Sequence, residues 1–213
     1  IHTNEATYEI QYGNVRRPTH YNTSWDEARF EVCAHKWLDV SEDGYGISVL
    51  NDCKYGCDVH NGRIGLTMLK SATYPNPDAD KEHHSFIWSL CPHSGRWQEN
   101  QIVAKAYLLN NPYRAVIKQK DGGSLAKTYS AVSVNVPNVV IEVVKKAEDG
   151  DETIIRMYEC WNRRSRFELQ LSEPAEYVYE TNLLEEKQEE IPVKENKVSL
   201  EIRPFEIKTL VVY

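Results

Sequence analysis

Asn51, Asp52, Lys54 and Tyr55 fall within five residues, and together they offer an amide, a carboxylate, a cation and an aromatic face. Such a set suits a sugar ring, whose C–H side stacks on the aromatic while its hydroxyls bond the polar groups beside it. The four residues close a short apolar run, Ile47, Val49 and Leu50, which itself opens on the turn Gly44-Tyr45-Gly46. A buried strand at that place would fix their position, and the loop after it would leave them reachable. The same residue types have a plainer use, since Asn and Asp commonly cap a turn by bonding their own backbone.

Other chemistries have weaker support. Glycoside hydrolysis needs two carboxylates held at a set separation, and Asp26, Glu27, Glu31, Asp52 and Asp58 are at hand. With 32 acidic residues in the chain, however, no spacing forces any two of them together, and surface charge accounts for most. Cys53, Cys57, Cys91 and His93, with His83 and His84 nearby, offer donors for zinc, but their spacing is looser than that of structural zinc motifs. Cysteine is as readily a small buried apolar residue. A Gly-x-Ser-x-Gly elbow, a phosphate loop and a dinucleotide fingerprint are all missing from the sequence.

At 213 residues the chain is long enough for one large domain or two small ones, with an apolar fraction of 41% that suits a soluble globular protein. A net charge of -7 argues against a nucleic-acid partner. No apolar run reaches the length of a membrane span, so no membrane partner is expected. Five cysteines, odd in number and irregular in spacing, point to a reducing compartment and a cytoplasmic location. Asn22-Thr23-Ser24 matches the glycosylation pattern, a short motif that arises often by chance. The opening Ile1-His2-Thr3-Asn4-Glu5 carries neither an initiator methionine nor a signal pattern, and reads as part of something longer.

The elements that must hold these residues are mainly strands. Alternation predicts one over Thr7 to Gln11, another from Ala28 to Leu38 with apolar residues on even positions, and a third over Ser85 to Leu90. Arg16 to Asp26 reads as a long loop around Pro18, and so does Tyr74 to His84. Asn61-Gly62 signals a tight hairpin. One helix is expected, from about Trp97 to Leu109. The stretch from Ile117 to Lys127 reads as a link. Beyond it seven short strands (Ser130 to Val136, Val139 to Lys146, Thr153 to Tyr158, Phe167 to Leu171, Tyr177 to Thr181, Lys197 to Ile202, Lys208 to Val212) predict a small sandwich. The charge run Glu185 to Glu190 reads as a solvated turn between two of them.

Long motifs then add a resemblance. Gly13 to Val32, Leu38-Asp39-Val40-Ser41-Glu42, Gly44 to Gly56, Pro75 to Asp80, Leu90-Cys91-Pro92-His93, Asn110-Asn111-Pro112 and Pro204 to Leu210 are similar, in this order, to the C-terminal β-sandwich portion of α-mannosidases of glycoside hydrolase family 38, cytosolic and bacterial branch. The likeness is dense to about residue 113 and sparser after it; it departs at Cys57 and at Lys81-Glu82. It implies an all-β fold: a large antiparallel β-sandwich of the supersandwich, galactose-mutarotase-like kind, of which 1–117 is the C-terminal part, then a small immunoglobulin-like sandwich over 128–213. It implies a retaining exo-α-mannosidase whose catalytic aspartate and zinc sit in an N-terminal domain outside this chain. The chain itself would then carry no catalytic residue and no metal, and would be inactive alone. Mannosides and that N-terminal domain are the implied partners, with homo-oligomers of the full-length protein left open. The implied substrate contacts are Asn51, Asp52, Lys54 and Tyr55, with Asp26 as a further one. The contrasting readings are a stand-alone sugar-binding or interaction module and a small zinc protein.

Overall fold

The computed structural model describes residues 1–117 and 127–213, which divide into two compact units, Ile1–Ala115 and Val116–Tyr213. Most of the link expected between Ile117 and Lys127 lies outside the described residues.

In the first unit, β1 (Glu5–Ile10), β2 (Gly13–Pro18), β4 (Trp37–Glu42), β5 (Tyr45–Asn51) and β8 (Trp88–Ser94) form an antiparallel sheet in the order β2-β1-β4-β5-β8. β3 (Val32–Cys33), β6 (Gly56–His60) and β7 (Arg63–Leu66) form a second, smaller sheet. Asn61 and Gly62 both take positive φ, as the tight β6–β7 turn demands. Paired residues share a face, so Tyr8, Leu38 and Val49 stand side by side on the large sheet. They bury against Cys57 and Val59 of the smaller one, and this is the unit's core. The helix α2 (Ile102–Asn110) packs on β4 and β5, burying Ile102, Val103 and Ala106, while Trp97 just before it meets Trp37.

Three expectations need correction here. The segment read as a loop from Arg16 begins as strand β2, because Arg17 lies over the Tyr8 ring and bonds the Cys33 carbonyl, so its long apolar stem lies along the sheet. Ala28 to Leu38 is not one strand. A second helix, α1 (Ser24–Ala28), ends at its start, and Phe30 is exposed, so the even positions share no buried face. The strand expected over Ser85 to Leu90 runs from Trp88 to Ser94 instead.

The second unit is a sandwich. β10 (Val139–Lys146), β11 (Thr153–Glu159), β13 (Val178–Thr181), β14 (Lys187–Ile191) and β17 (Ile207–Val212) make one sheet in the order β10-β11-β17-β13-β14. β9 (Val132–Val134), β12 (Ser165–Leu171), β15 (Val193–Lys194) and β16 (Lys197–Ile202) make the other. Ile155, Met157, Val178 and Leu210 of the first meet Phe167, Leu169, Val198 and Leu200 of the second in one core. Part of the charge run expected as a turn is strand β14, paired to β13 at the edge of its sheet. Charged side chains on an edge keep it from pairing further.

Beneath the first unit's α2 face lies a polar cluster tying three strands together. Asp39 of β4, Ser48 of β5 and His93 of β8 are almost wholly buried. The Asp39 carboxylate accepts from His93 Nε2 at 2.8 Å, from Ser48 Oγ at 2.6 Å and from Ser41 Oγ at 2.5 Å. The imidazole reaches it by crossing Gly46, which pairs with Ser41 on one side and His93 on the other. A Cβ at Gly46 would overlap both the Ser41 hydroxyl and the His93 ring. Gly46→Ala is therefore expected to destabilise the first unit by about 1–3 kcal/mol, as overpacking usually does. Chemical unfolding checks this, and a variant as stable as the parent would show that the ring can move aside.

Candidate functional site

The loop after β5 is shaped by Asn51, which is 4% exposed. Its side-chain amide donates to the carbonyls of His35 (3.0 Å) and Lys54 (2.6 Å), and its Oδ1 accepts from the amides of Lys54 (2.8 Å) and Cys53 (3.3 Å). Its own carbonyl takes a bond from Asn110 Nδ2 at the end of α2, at 3.0 Å. All four bonding positions of this side chain are thus used by backbone. The turn-capping alternative describes Asn51 itself, and the residue holds the loop from within.

The next three residues project differently. Asp52 is half-buried, its amide bonded to the Ile87 carbonyl at 3.2 Å, with Oδ1 enclosed and lacking a hydrogen-bond partner among the described residues. Lys54 lies with Nζ 5.2 Å from the centre of the Phe86 ring. Tyr55 is 46% exposed, its ring set edge-on to His35 at 5.0 Å. Tyr55 lines an open groove of about 450 Å³, together with Glu31, Cys33, Thr67, Lys70 and Asp80. Asn51, Asp52 and Lys54 do not line it, although the Lys54 cation stands near enough to help hold the Asp80 carboxyl down.

Two carboxylates reach this groove, Glu31, one of the five acidic residues weighed for hydrolysis, and Asp80, which residue spacing did not single out. Asp80 accepts from the amides of Ser71 (3.0 Å) and Lys70 (3.3 Å), and these bonds, Ser71's foremost, hold its carboxyl below the usual range. Glu31 accepts a bond from the Thr67 hydroxyl. Asp80 belongs to a segment that reads as a long loop, and long loops are where binding groups gather. An aromatic face, two carboxylates and Lys70 around an open groove are groups that can stack on and hydrogen-bond a polyol.

Asp26 sits elsewhere. It forms a reciprocal cap on α1 with Thr23: Thr23's hydroxyl and amide donate to Oδ2 at 3.0 and 3.1 Å, and the Asp26 amide donates back to Thr23 Oγ1 at 3.2 Å. The Thr23 hydroxyl is the chief reason its carboxyl stands below the usual range. Its neighbours are Arg17, His20, Tyr21 and Asp58, with Tyr21 stacked on His60 at 3.8 Å.

The donors weighed for zinc are dispersed. Cys57 lies in the core, its thiol 3.4 Å from the Val32 carbonyl and pushed up to about 12 by burial, while His93 is engaged with Asp39. Cys53 lies near the Ser85 carbonyl and Cys91 beside Lys105.

Comparison with known proteins agrees with this architecture. Residues 1–78 match the family model for the glycosyl hydrolases family 38 C-terminal domain, and residues 138–210 match that for the glycosyl hydrolases family 38 C-terminal beta sandwich domain. The chain is 39% identical to Alpha-mannosidase 2C1 of Homo sapiens over 100% of its own length and 21% of that protein's. It is 40% identical to Alpha-mannosidase G of Dictyostelium discoideum, over 98% of its own length and 20% of that protein's. Among solved structures, an alpha-mannosidase from Enterococcus faecalis V583 superposes with a TM-score of 0.78 at 20% identity, over 99% of this chain and 24% of that one, which bears on the fold. The chain thus spans about a fifth of the length of the curated relatives it matches. With two C-terminal models of the same family matched in order along it, the chain belongs to the C-terminal region of glycoside hydrolase family 38.

Proposed function

We propose that this chain is the non-catalytic C-terminal region of a retaining exo-α-mannosidase, a cytoplasmic enzyme that removes terminal α-mannose, and that it forms one wall of the sugar pocket. The observation that carries this is the 39–40% identity, along 98–100% of the chain, to proteins named as alpha-mannosidases, of which it makes up only about a fifth. Residues 1–117 are then the C-terminal part of a larger sandwich, and 128–213 an immunoglobulin-like small one. The zinc and catalytic aspartate implied by the family resemblance belong in this reading to polypeptide outside the chain. Among the described residues no three His, Cys, Asp or Glu side chains gather to hold a metal ion. Five free cysteines accord with a reducing compartment, and no described helix is long and apolar enough to cross a membrane.

What this chain's residues contribute is orientation. In this reading Tyr55 stacks on the sugar, Asp52 and Lys54 supply hydrogen bonds beside it, Asp26 stands further out, and Asn51 keeps the loop in shape. A wall that fixes the ring relative to the reacting groups lowers the barrier without touching them. The full-length protein is expected to release mannose from an aryl α-mannoside, and residues 1–213 alone to release none. In the full-length protein Tyr55→Ala should lower kcat/KM roughly three- to tenfold, the value of one aromatic contact, while Tyr55→Phe retains the parent's value. Release of mannose by the isolated chain would end the reading. An unchanged kcat/KM for Tyr55→Ala would remove Tyr55 from the pocket.

A further inference from the structure

The core face of the large sheet does not end where its cover ends. Across β1, β4 and β5 the apolar residues Tyr8, Leu38, Val40 and Val49 are buried under the smaller sheet. Register carries the same face onto β8: Leu90 pairs with Val49, Pro92 with Ile47 and Trp88 with Asn51, and Tyr45 closes the row opposite Ser94. There the cover stops, leaving Leu90 53%, Trp88 47% and Tyr45 46% exposed. A contiguous apolar face that continues a core marks a surface built to be covered.

We infer that the β8 face bearing Tyr45, Trp88, Leu90 and Pro92 is packed, in the full-length protein, by polypeptide from the four-fifths that lies outside this chain, and that the contact is face to face. The inference rests on the proposal that this chain is part of a longer mannosidase. Two observations favour that occupant: the patch continues the unit's own core, and the relatives are about five times longer than the chain.

Backbone geometry argues against an added strand. The Asp52 amide bonds the Ile87 carbonyl and the Gly95 amide bonds the Gly44 carbonyl, so Trp88, Leu90, Pro92 and Ser94 occupy positions where β8 makes no bonds to β5. Their N–H and C=O groups point to the open edge, since β8 is the last strand of its sheet. Pro92 has no N–H to give there, and the Ser94 carbonyl is taken by Asn100 Nδ2 at 2.6 Å. That edge is blunted in the way proline blunts edges, while its side-chain face is not.

The test is thiol accessibility in the folded full-length protein. Leu90→Cys is labelled with a maleimide, the modified peptides are followed by mass spectrometry, and Leu184→Cys, at a position 80% exposed in the second unit, serves as reference. Leu90→Cys should react about tenfold or more slowly than Leu184→Cys, and equally fast once denaturant is added, because labelling of a covered site waits on local opening. Equal rates in the folded protein would overturn the inference. Protection that vanishes as the protein is diluted to monomers would overturn it too, by giving the face to a second copy. If circular dichroism shows Leu90→Cys to be misfolded, Tyr45→Cys on the same face is read in the same way. Mannose release from the same preparations reports separately on the enzyme reading, so a protected Leu90→Cys in an inactive protein would sink only that.

Discussion

Replacing His93 by leucine is expected to lower the stability of the first unit by about 3 kcal/mol, the cost of leaving a buried carboxylate short of one of its hydrogen-bond donors. The Asp39 side chain is 2% exposed and His93's 1%. Without the imidazole, Asp39 keeps, among the described residues, the Ser41 and Ser48 hydroxyls. Nothing else in the cluster can approach, because the strands that carry it are fixed by their register and the Gly46 gap is shaped to the missing ring. Adding Asp39→Leu should recover much of the loss, since an apolar pair of similar size leaves no buried carboxylate behind. Urea unfolding of the parent, the single variant and the double variant decides the matter. A single variant within about 1 kcal/mol of the parent, the value of an ordinary exposed contact, would mean that water reaches Asp39 after all.

This cluster also marks where reading residues in order runs out. Asp39, Ser48 and His93 come from three strands, and no spacing along the chain relates them; only the registers of β4 on β5 and β5 on β8 do. Local signals fared better. The apolar run Ile47, Val49, Leu50 and the Asn61-Gly62 turn are legible because a buried strand and a two-residue hairpin each impose their demand on adjacent residues. β2 and β14 were hidden for a common reason. Arg16, Arg17 and the Glu189-Glu190 pair lie in edge strands, where little hydrophobic alternation is required and charge is an advantage. The candidate site was half legible. Tyr55 at a groove follows from its place in a loop after a strand, but Glu31 and Asp80 arrive from distant segments. Asn51, Asp52 and Lys54 looked equivalent to Tyr55 because sequence carries no record of which way a turn points each side chain.

Asn51→Ala is expected to be the most damaging change in that loop, costing about 2–4 kcal/mol in stability and a larger share of kcat/KM than Tyr55→Ala, because buried backbone groups left unpaired cost roughly 1–3 kcal/mol each. The carbonyls of His35 and Lys54 and the amides of Cys53 and Lys54 would all lose their partner at once. Some would recover through water, which keeps the total below the sum. Asn51→Asp separates the two halves of this role. It keeps an acceptor for the amides but turns a carboxylate oxygen towards the two carbonyls, so it should be no more stable than the alanine variant. Parent-like stability for Asn51→Asp would show that the donor side of Asn51 carries no weight. The kinetic half has its own check: if the loop acts by holding Tyr55 and its neighbours in register, Asn51→Ala combined with Tyr55→Ala should lose scarcely more activity than Asn51→Ala alone. Fully additive losses would mean that Asn51 affects activity by a route that does not pass through Tyr55.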